Sequence, residues 1–109
     1  MENKQFIKAV LDENAIIQDF ECTLNIDCYD RKDVIGKNWF DVFIDSSDYE
    51  HVMVVFKSLF EKDEKKWETY ANDIKCKDAK HILIDFKNII EIKDGQKHIV
   101  TVGTEHYLS

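Results

Sequence analysis

An aromatic-rich stretch followed by an amphipathic segment constrains the fold of this chain more than any other feature. Residues 31–43 read RKDVIGKNWFDVF, and the run IDSSDYEHVMVVFKSLF follows at once. The large apolar side chains of the stretch are Trp39, Phe40, Val42 and Phe43. Side chains of this size, clustered this closely, are not left in water, so we expect them to fill one side of the core.

Two helices are predicted around this stretch. Asp30 is a plausible N-cap for a helical turn over 31–35, and Gly36 is suited to end that turn in the left-handed conformation. Ser47 and Glu50 have the spacing of an S-x-x-E capping box for the next helix. The apolar residues that follow have the spacing of one helical face and are Val52, Val55, Phe56, Leu59 and Phe60.

The segments on either side of the helices are strand-like. Apolar runs at 6–11 and 16–20, separated by polar residues, predict a β-hairpin. Residues 21–28 are expected to form a short helix or turn that packs through Leu24 and Ile26. The charge run 61–66 is interpreted as a solvated loop or helix end.

Three further strands are predicted at 67–76, 81–92 and 98–104, with turns at 77–80 and at Asp94-Gly95. Two strands, a helical block and three strands indicate an α+β fold. In it, a five-stranded antiparallel sheet has one face covered by helices. We expect residues 1–109 to form a single domain.

Composition excludes several functional classes. The chain of 109 residues has a net charge of −7, so it lacks the basic surface that a phosphate backbone requires and is not expected to bind nucleic acid. No apolar run reaches membrane-spanning length, and MENKQF lacks the layout of a signal peptide, so we predict a cytoplasmic domain without direct membrane contact. The three cysteines are expected to be reduced thiols, and the four histidines have no metal-ligand spacing.

In order and spacing, these segments resemble the PAS sensory-domain family over nearly the whole chain. CYDRKDVIGKNWFDVFI resembles the family's helical block, and SSDYEHVMVVFKSLF resembles the long helix after it. WETYANDIKCKDA and NIIEIKDGQKHIVTVGTEHYL are similar to the start of its sheet and to its closing hairpin. Cys28 and Ala79 stand where the family usually has glycine, and the Asn that commonly follows the second strand is not evident. We expect these differences to change the loops but not the fold.

The resemblance implies a ligand pocket between the sheet and the helical block. In the flavin-binding, light-sensing subclass, a cysteine in this block forms a covalent adduct with the flavin. Trp39 occupies that register here, and an indole cannot form the adduct, so this photochemistry is not expected. In the haem subclass, a histidine on the long helix is the axial ligand. His51 lies on the corresponding helix and is therefore a candidate axial ligand of haem. The alternative interpretation is an ordinary surface histidine.

Asn88 is the most informative polar residue of the predicted strands. It follows Ile82, Ile84 and Phe86 on an alternating apolar face, where an amide is costly unless something pairs with it. Its partner is either another protein group or a bound ligand. Asn72 on the preceding strand is a weaker candidate. The residues expected to line a cavity are Trp39, Val55, Phe56 and Phe86, although a filled core would have the same sequence signature.

Two functional hypotheses follow, and neither is catalytic, because no nucleophile lies near a histidine in sequence and no phosphate loop is present. The first is a ligand-sensing module that signals through its C-terminal exit, 104–109, to an effector in the same longer chain. The resemblance is closest to domains of bacterial histidine kinases and cyclic-di-GMP enzymes, which implies a homodimer. The second is a ligand-free dimerisation or docking module that uses the outer sheet face or residues 1–6.

Overall fold

Five strands and a central run of short helices make up the described part of the chain. The computed structural model describes residues 5–24, 29–62, 69–76 and 81–105. In chain order, the strands and α-helices are β1 (Ile7–Leu11), β2 (Ile17–Cys22), α1 (Arg31–Val34), α2 (Trp39–Phe43), α3 (Tyr49–Lys57), β3 (Thr69–Lys75), β4 (His81–Lys93) and β5 (Gln96–Glu105).

The strands form one antiparallel sheet in the order β2-β1-β5-β4-β3. Asp94 and Gly95 connect β4 to β5 with φ angles of 52° and 79°, as expected for the two-residue turn that a hairpin favours. The helices lie against one face of the sheet. The predicted α+β architecture is therefore confirmed, while the predicted turn at 77–80 lies outside the described residues.

The first hairpin is organised by the side chain of Asp12. Its Oδ1 atom accepts hydrogen bonds from the backbone N–H groups of Asn14 and Ile16, each at 2.9 Å. These two bonds satisfy the backbone of the turn, which also contains Ala15 at φ 62°. The predicted pairing of 6–11 with 16–20 is confirmed by the register of β1 and β2.

The segment after this hairpin differs from the sequence prediction. Glu21 and Cys22 extend β2 instead of starting a helix, while Leu24 is buried as expected. Residues 25–28, including Ile26, lie outside the described part. Cys22 is disulfide-bonded, so the expectation of reduced thiols is wrong for this residue. Its partner is not among the described residues, where the other cysteine, Cys76, is a buried thiol.

A backbone hydrogen bond and a side-chain cap explain the breaks within the helical block. The N–H of Gly36, at φ 84°, donates to the Ile17 carbonyl at 2.9 Å, which ties the end of α1 to the sheet. Asn38 Oδ1 accepts from the N–H groups of Phe40 and Asp41 at 2.8 and 3.4 Å. The aromatic stretch consequently begins a helix of its own, α2, which the sequence pattern did not reveal.

The predicted capping box before α3 is wrong. Asp45, not Ser47, supplies the cap: its Oδ1 accepts from the N–H of Ser47 at 3.3 Å and starts a 3₁₀ turn at Ser46–Asp48. The helix α3 then begins at Tyr49 without a side-chain cap. A carboxylate can accept a hydrogen bond from the backbone N–H two residues later as well as a hydroxyl can cap a helix. Sequence spacing therefore does not distinguish Asp45 from Ser47 as the cap.

The predicted inner face of α3 is confirmed. Its members Val52, Val55, Phe56 and Leu59 are buried, and Phe60 is partly buried. After Lys57 the helix widens into a π-helical turn, Ser58–Lys62, and Lys97 Nζ donates to the Phe60 carbonyl there at 3.1 Å. The charge run 61–66 thus begins inside this turn, and residues 63–66 lie outside the described part.

Aromatic contacts join the helical block to the sheet. The Phe43 ring stacks on Phe20 of β2 with centroids 5.5 Å apart, and Trp39 meets Phe86 of β4 edge-on at 6.0 Å. Phe40 packs against Phe56 of α3 at 5.7 Å. These contacts place the predicted aromatic cluster in the core, as expected. None of the helices in the described ranges combines the length and apolar content that crossing a membrane requires.

A hydrogen bond between α2 and α3 makes a prediction about alkaline pH. The Tyr49 hydroxyl donates to Asp41 Oδ1, and this bond, together with burial, raises the pKa of Tyr49 to about 12. Because the folded pKa exceeds the ordinary value of about 10, the stabilisation is complete below pH 10 and is lost as the pH rises through 12.

Replacing Tyr49 by phenylalanine should therefore cost up to about 1 kcal/mol at pH 8 and progressively less between pH 10 and 12. Urea unfolding of both proteins at several pH values measures this difference. A difference that stays constant over the whole range would contradict the assignment.

Candidate functional site

A cavity lies between the helical block and the sheet. Its volume is about 40 Å³. The helical side supplies Trp39, Phe40, Val52, Val55, Phe56 and Leu59. The sheet side supplies Leu11, Tyr70, Asn72, Phe86, Asn88, Ile99 and Thr101. Apart from the indole of Trp39, the helical wall is therefore apolar, and the opposite wall carries the other polar side chains.

All six residues predicted to contact a ligand lie around this cavity: Trp39, Val55, Phe56, Asn72, Phe86 and Asn88. Alternate residues of β3 and β4 lie on the sheet face that lines the cavity, and the helical periodicity of α3 places Val55 and Phe56 on the side of the helix that lines it. Their role in binding stays a prediction, since a cavity of this size is also compatible with a nearly filled core.

Two buried polar side chains face each other on the sheet wall. Asn88 is 8% exposed and Thr101 is 5% exposed, and they are register partners on β4 and β5. Each offers both a donor and an acceptor. Sequence reasoning missed Thr101, although the Asp94-Gly95 turn contains the signal. A two-residue turn there pairs Lys93 with Gln96, and continuing that register pairs Asn88 with Thr101.

The remaining polar residues of the wall come from β3. Asn72 is partly buried, and its Nδ2 donates to the Asp73 carbonyl at 2.9 Å. Tyr70, which sequence reasoning also missed, lies opposite Phe86. Burial raises the pKa of Tyr70, and the nearby Asp48 carboxylate adds to this effect, so the phenol remains uncharged at neutral pH.

The position of Trp39 is set by both neighbouring elements. Its backbone N–H donates to the Ala15 carbonyl in the first hairpin at 2.8 Å, and the Asn38 cap fixes the helix it begins. The indole is 5% exposed and lies against the Phe43 ring, with centroids 4.5 Å apart. Trp39 therefore forms part of the cavity wall and also connects α2 to β4 through Phe86.

Comparison with known proteins bears on the fold. No family model and no curated protein matches this sequence. Among solved structures, the PAS domain of the Cronobacter turicensis RpfR quorum-sensing receptor in complex with BDSF superposes with a TM-score of 0.73 at 19% identity, over 98% of this chain and 99% of that one. The fold is that of PAS domains.

Other solved structures agree. The PAS domain of an HTR-like protein from Haloarcula marismortui has a TM-score of 0.70 at 17% identity, over 96% of this chain and 84% of that one. The PAS-B domain of Drosophila melanogaster Cycle with bound ethylene glycol has a TM-score of 0.71 at 13% identity, over 92% and 99%. At these identities the comparison establishes the PAS fold alone.

Within the PAS fold, His51 lies outside the cavity. The side chain is exposed, and its ring lies 5.8 Å from that of Tyr70, in a surface groove between α3 and β3. A cavity of about 40 Å³ has no room for a haem macrocycle. The prediction of His51 as an axial ligand therefore finds no support in this geometry. Within the described ranges, no cluster of three or more His, Cys, Asp or Glu residues could hold a metal ion.

Proposed function

We propose that residues 1–109 form one non-catalytic PAS sensory module that binds a small molecule between its sheet and its helical block. The observation that carries this proposal is the pairing of two buried polar residues, Asn88 and Thr101, on the sheet wall of a cavity whose facing α3 side is apolar. Buried polar groups of this kind are the usual orienting elements of a ligand site. The PAS domain of RpfR, which has the same fold, is described in complex with BDSF and with C12:0.

The size of the cavity suggests how occupancy is signalled. Sites for drug-sized ligands enclose roughly 300–1,000 Å³, whereas this cavity encloses about 40 Å³. A ligand of more than a few atoms must displace part of the wall. We propose that α3, which contributes Val52, Val55 and Phe56, is the side that moves. The other side includes β5, which leads towards the C-terminal exit.

The proposal extends to the context of the module. The signal passes through the C-terminal exit to an effector in the same longer chain, of the histidine kinase or cyclic-di-GMP enzyme class, and the module acts as a homodimer in the cytoplasm. These points are supported by the resemblance of the sequence.

A ligand-free dimerisation module is the second candidate function. It is favoured by the small cavity and by the exposed apolar side chains of Leu83 and Ile89, which alternate away from the core on β4 and are 38% and 56% exposed. Under this interpretation, Asn88 and Thr101 serve the core alone, and the outer face of the sheet forms the dimer contact.

Native mass spectrometry of the purified chain distinguishes the two functions. We expect a mass above that of the polypeptide, and we expect the extra mass to be lost under denaturing conditions. Replacing Asn88 by leucine keeps the number of side-chain non-hydrogen atoms but removes the amide, so the affinity should fall at least tenfold, corresponding to about 1.4 kcal/mol.

Ile89→Ala on the outer face is the matched control and should leave the bound fraction unchanged. A stable dimer whose mass is that of two polypeptides and nothing more, in wild type and variants alike, would favour the dimerisation module over the sensor.

A further inference from the structure

We infer that the cavity selects an uncharged ligand with a hydrogen-bonding group at one end and a small apolar body at the other. The inference rests on the proposed sensory function and specifies its ligand class. Three properties support it: the charge and the polarity of the cavity wall, and the volume of the cavity.

No lining residue of the cavity carries a formal charge at neutral pH. A carboxylate or ammonium group that entered it would lose its hydration without meeting an opposite charge, which is strongly unfavourable. The net charge of −7 further disfavours the approach of anions. An acid would therefore have to bind in its protonated form, and a neutral compound of the same shape has the advantage.

Apart from the indole of Trp39, the polar side chains of the wall lie on the sheet side. Asn88 and Thr101 form a register pair there, and Asn72 lies on the neighbouring strand. The facing residues from α3, Val52, Val55 and Phe56, are apolar. A ligand is thus oriented with its polar end towards β4 and β5. Because an amide and a hydroxyl each donate and accept, their best complements are ligand groups that also do both, such as a primary amide or an alcohol.

The volume sets the size of the first probes. One water molecule requires roughly 10–15 Å³ of cavity volume, and about 40 Å³ is present. Compounds of three or four non-hydrogen atoms therefore suit the cavity without displacement of α3. Acetamide, acetate and acetamidinium have nearly the same shape and differ in charge, so together they isolate the effect of charge from that of size.

The test is a titration of the ¹⁵N-labelled chain with each of the three compounds at constant ionic strength and pH 7.5, followed by amide NMR shifts. We expect acetamide to shift the Asn88 side-chain amide and the Thr101 backbone amide in a saturable manner. Acetate and acetamidinium should bind at least tenfold more weakly. Asn88→Leu should weaken acetamide binding by a similar factor, and Ile89→Ala on the outer face should not.

Two further variants test the size of the cavity and the charge of its wall separately. Val55→Ala enlarges the cavity without changing its polarity and should bind propanamide in preference to propanoate. Asn88→Asp should reverse the order and favour acetamidinium. If acetate binds wild type as tightly as acetamide, the ligand class is overturned while the sensory function stands. If no compound binds wild type or Val55→Ala, and native mass spectrometry finds no bound molecule, the sensory function fails as well.

Discussion

Replacing Trp39 by alanine should lower the free energy of unfolding by about 3–5 kcal/mol. The indole is almost completely buried and fills the space between the Phe43 ring and the edge of Phe86. Its removal leaves a void that α2 cannot close, because the Asn38 cap and the bond from the Trp39 N–H to Ala15 hold the backbone in place. Domains of this size are stable by only about 5–15 kcal/mol, so the loss is a large part of the total.

Urea unfolding monitored by circular dichroism measures the loss. Val54→Ala is the matched control, because Val54 lies on α3 but is 57% exposed, and its replacement should change stability by less than about 0.5 kcal/mol. Trp39→Phe should lose less than Trp39→Ala, since the ring contacts are partly kept. A loss below about 1 kcal/mol for Trp39→Ala would show that the aromatic cluster does not hold the helical block on the sheet.

The second large effect is expected at Gly103 on β5. A Cβ atom added there would overlap the Ile84 side chain and lie 2.8 Å from Phe86 Cε1. Gly103 is the register partner of Phe86 on one side and of Ile7 on the other. The absence of a side chain therefore lets Phe86 lie over β5 and line the cavity. Gly103→Ala should cost about 1–3 kcal/mol, since the added methyl overfills a packed core.

A double-mutant cycle tests the cause of this loss. Gly103→Ala should be less destabilising when Ile84 is replaced by alanine, because Ile84 Cγ2, the atom that the added methyl would overlap, is then absent. Val102→Ala, on the opposite face of the same strand, provides the comparison with an ordinary strand position. If the cost of Gly103→Ala is the same in both backgrounds, contact with Ile84 is not its origin.

The fold could be predicted because its signals are local. The Asp94-Gly95 turn, the polar break centred on Asp12 and the apolar face of α3 each determine a neighbouring element, and together they define the sheet and the side it buries. The helix α2 was missed because its cap, Asn38, lies within a stretch whose aromatic content dominates the pattern. The capping box was misplaced because Asp45 and Ser47 are both good caps, and only the backbone geometry decides between them.

The residues that form the candidate site could be predicted from the sequence, but the volume of the cavity could not. Alternation placed Asn72, Phe86 and Asn88 on the inner face, and helical periodicity did the same for Val55 and Phe56. Thr101 follows from extending the hairpin register, a step the strand pattern alone does not suggest. The volume of the cavity depends on how closely α3 approaches the sheet, and sequence spacing contains no measure of that distance. The sequence likewise does not determine the rotation of α3 about its axis, which places His51 on the outer side of the helix.

Intermolecular NOEs measured with acetamide in excess show whether the space between α3 and the sheet is a ligand site. We expect NOEs from the acetamide methyl group to the methyl groups of Val55, and from its amide protons to the side-chain amide of Asn88. NOEs confined to outward-facing residues such as Leu83 and Ile89, with none to Val55 or Asn88, would contradict it.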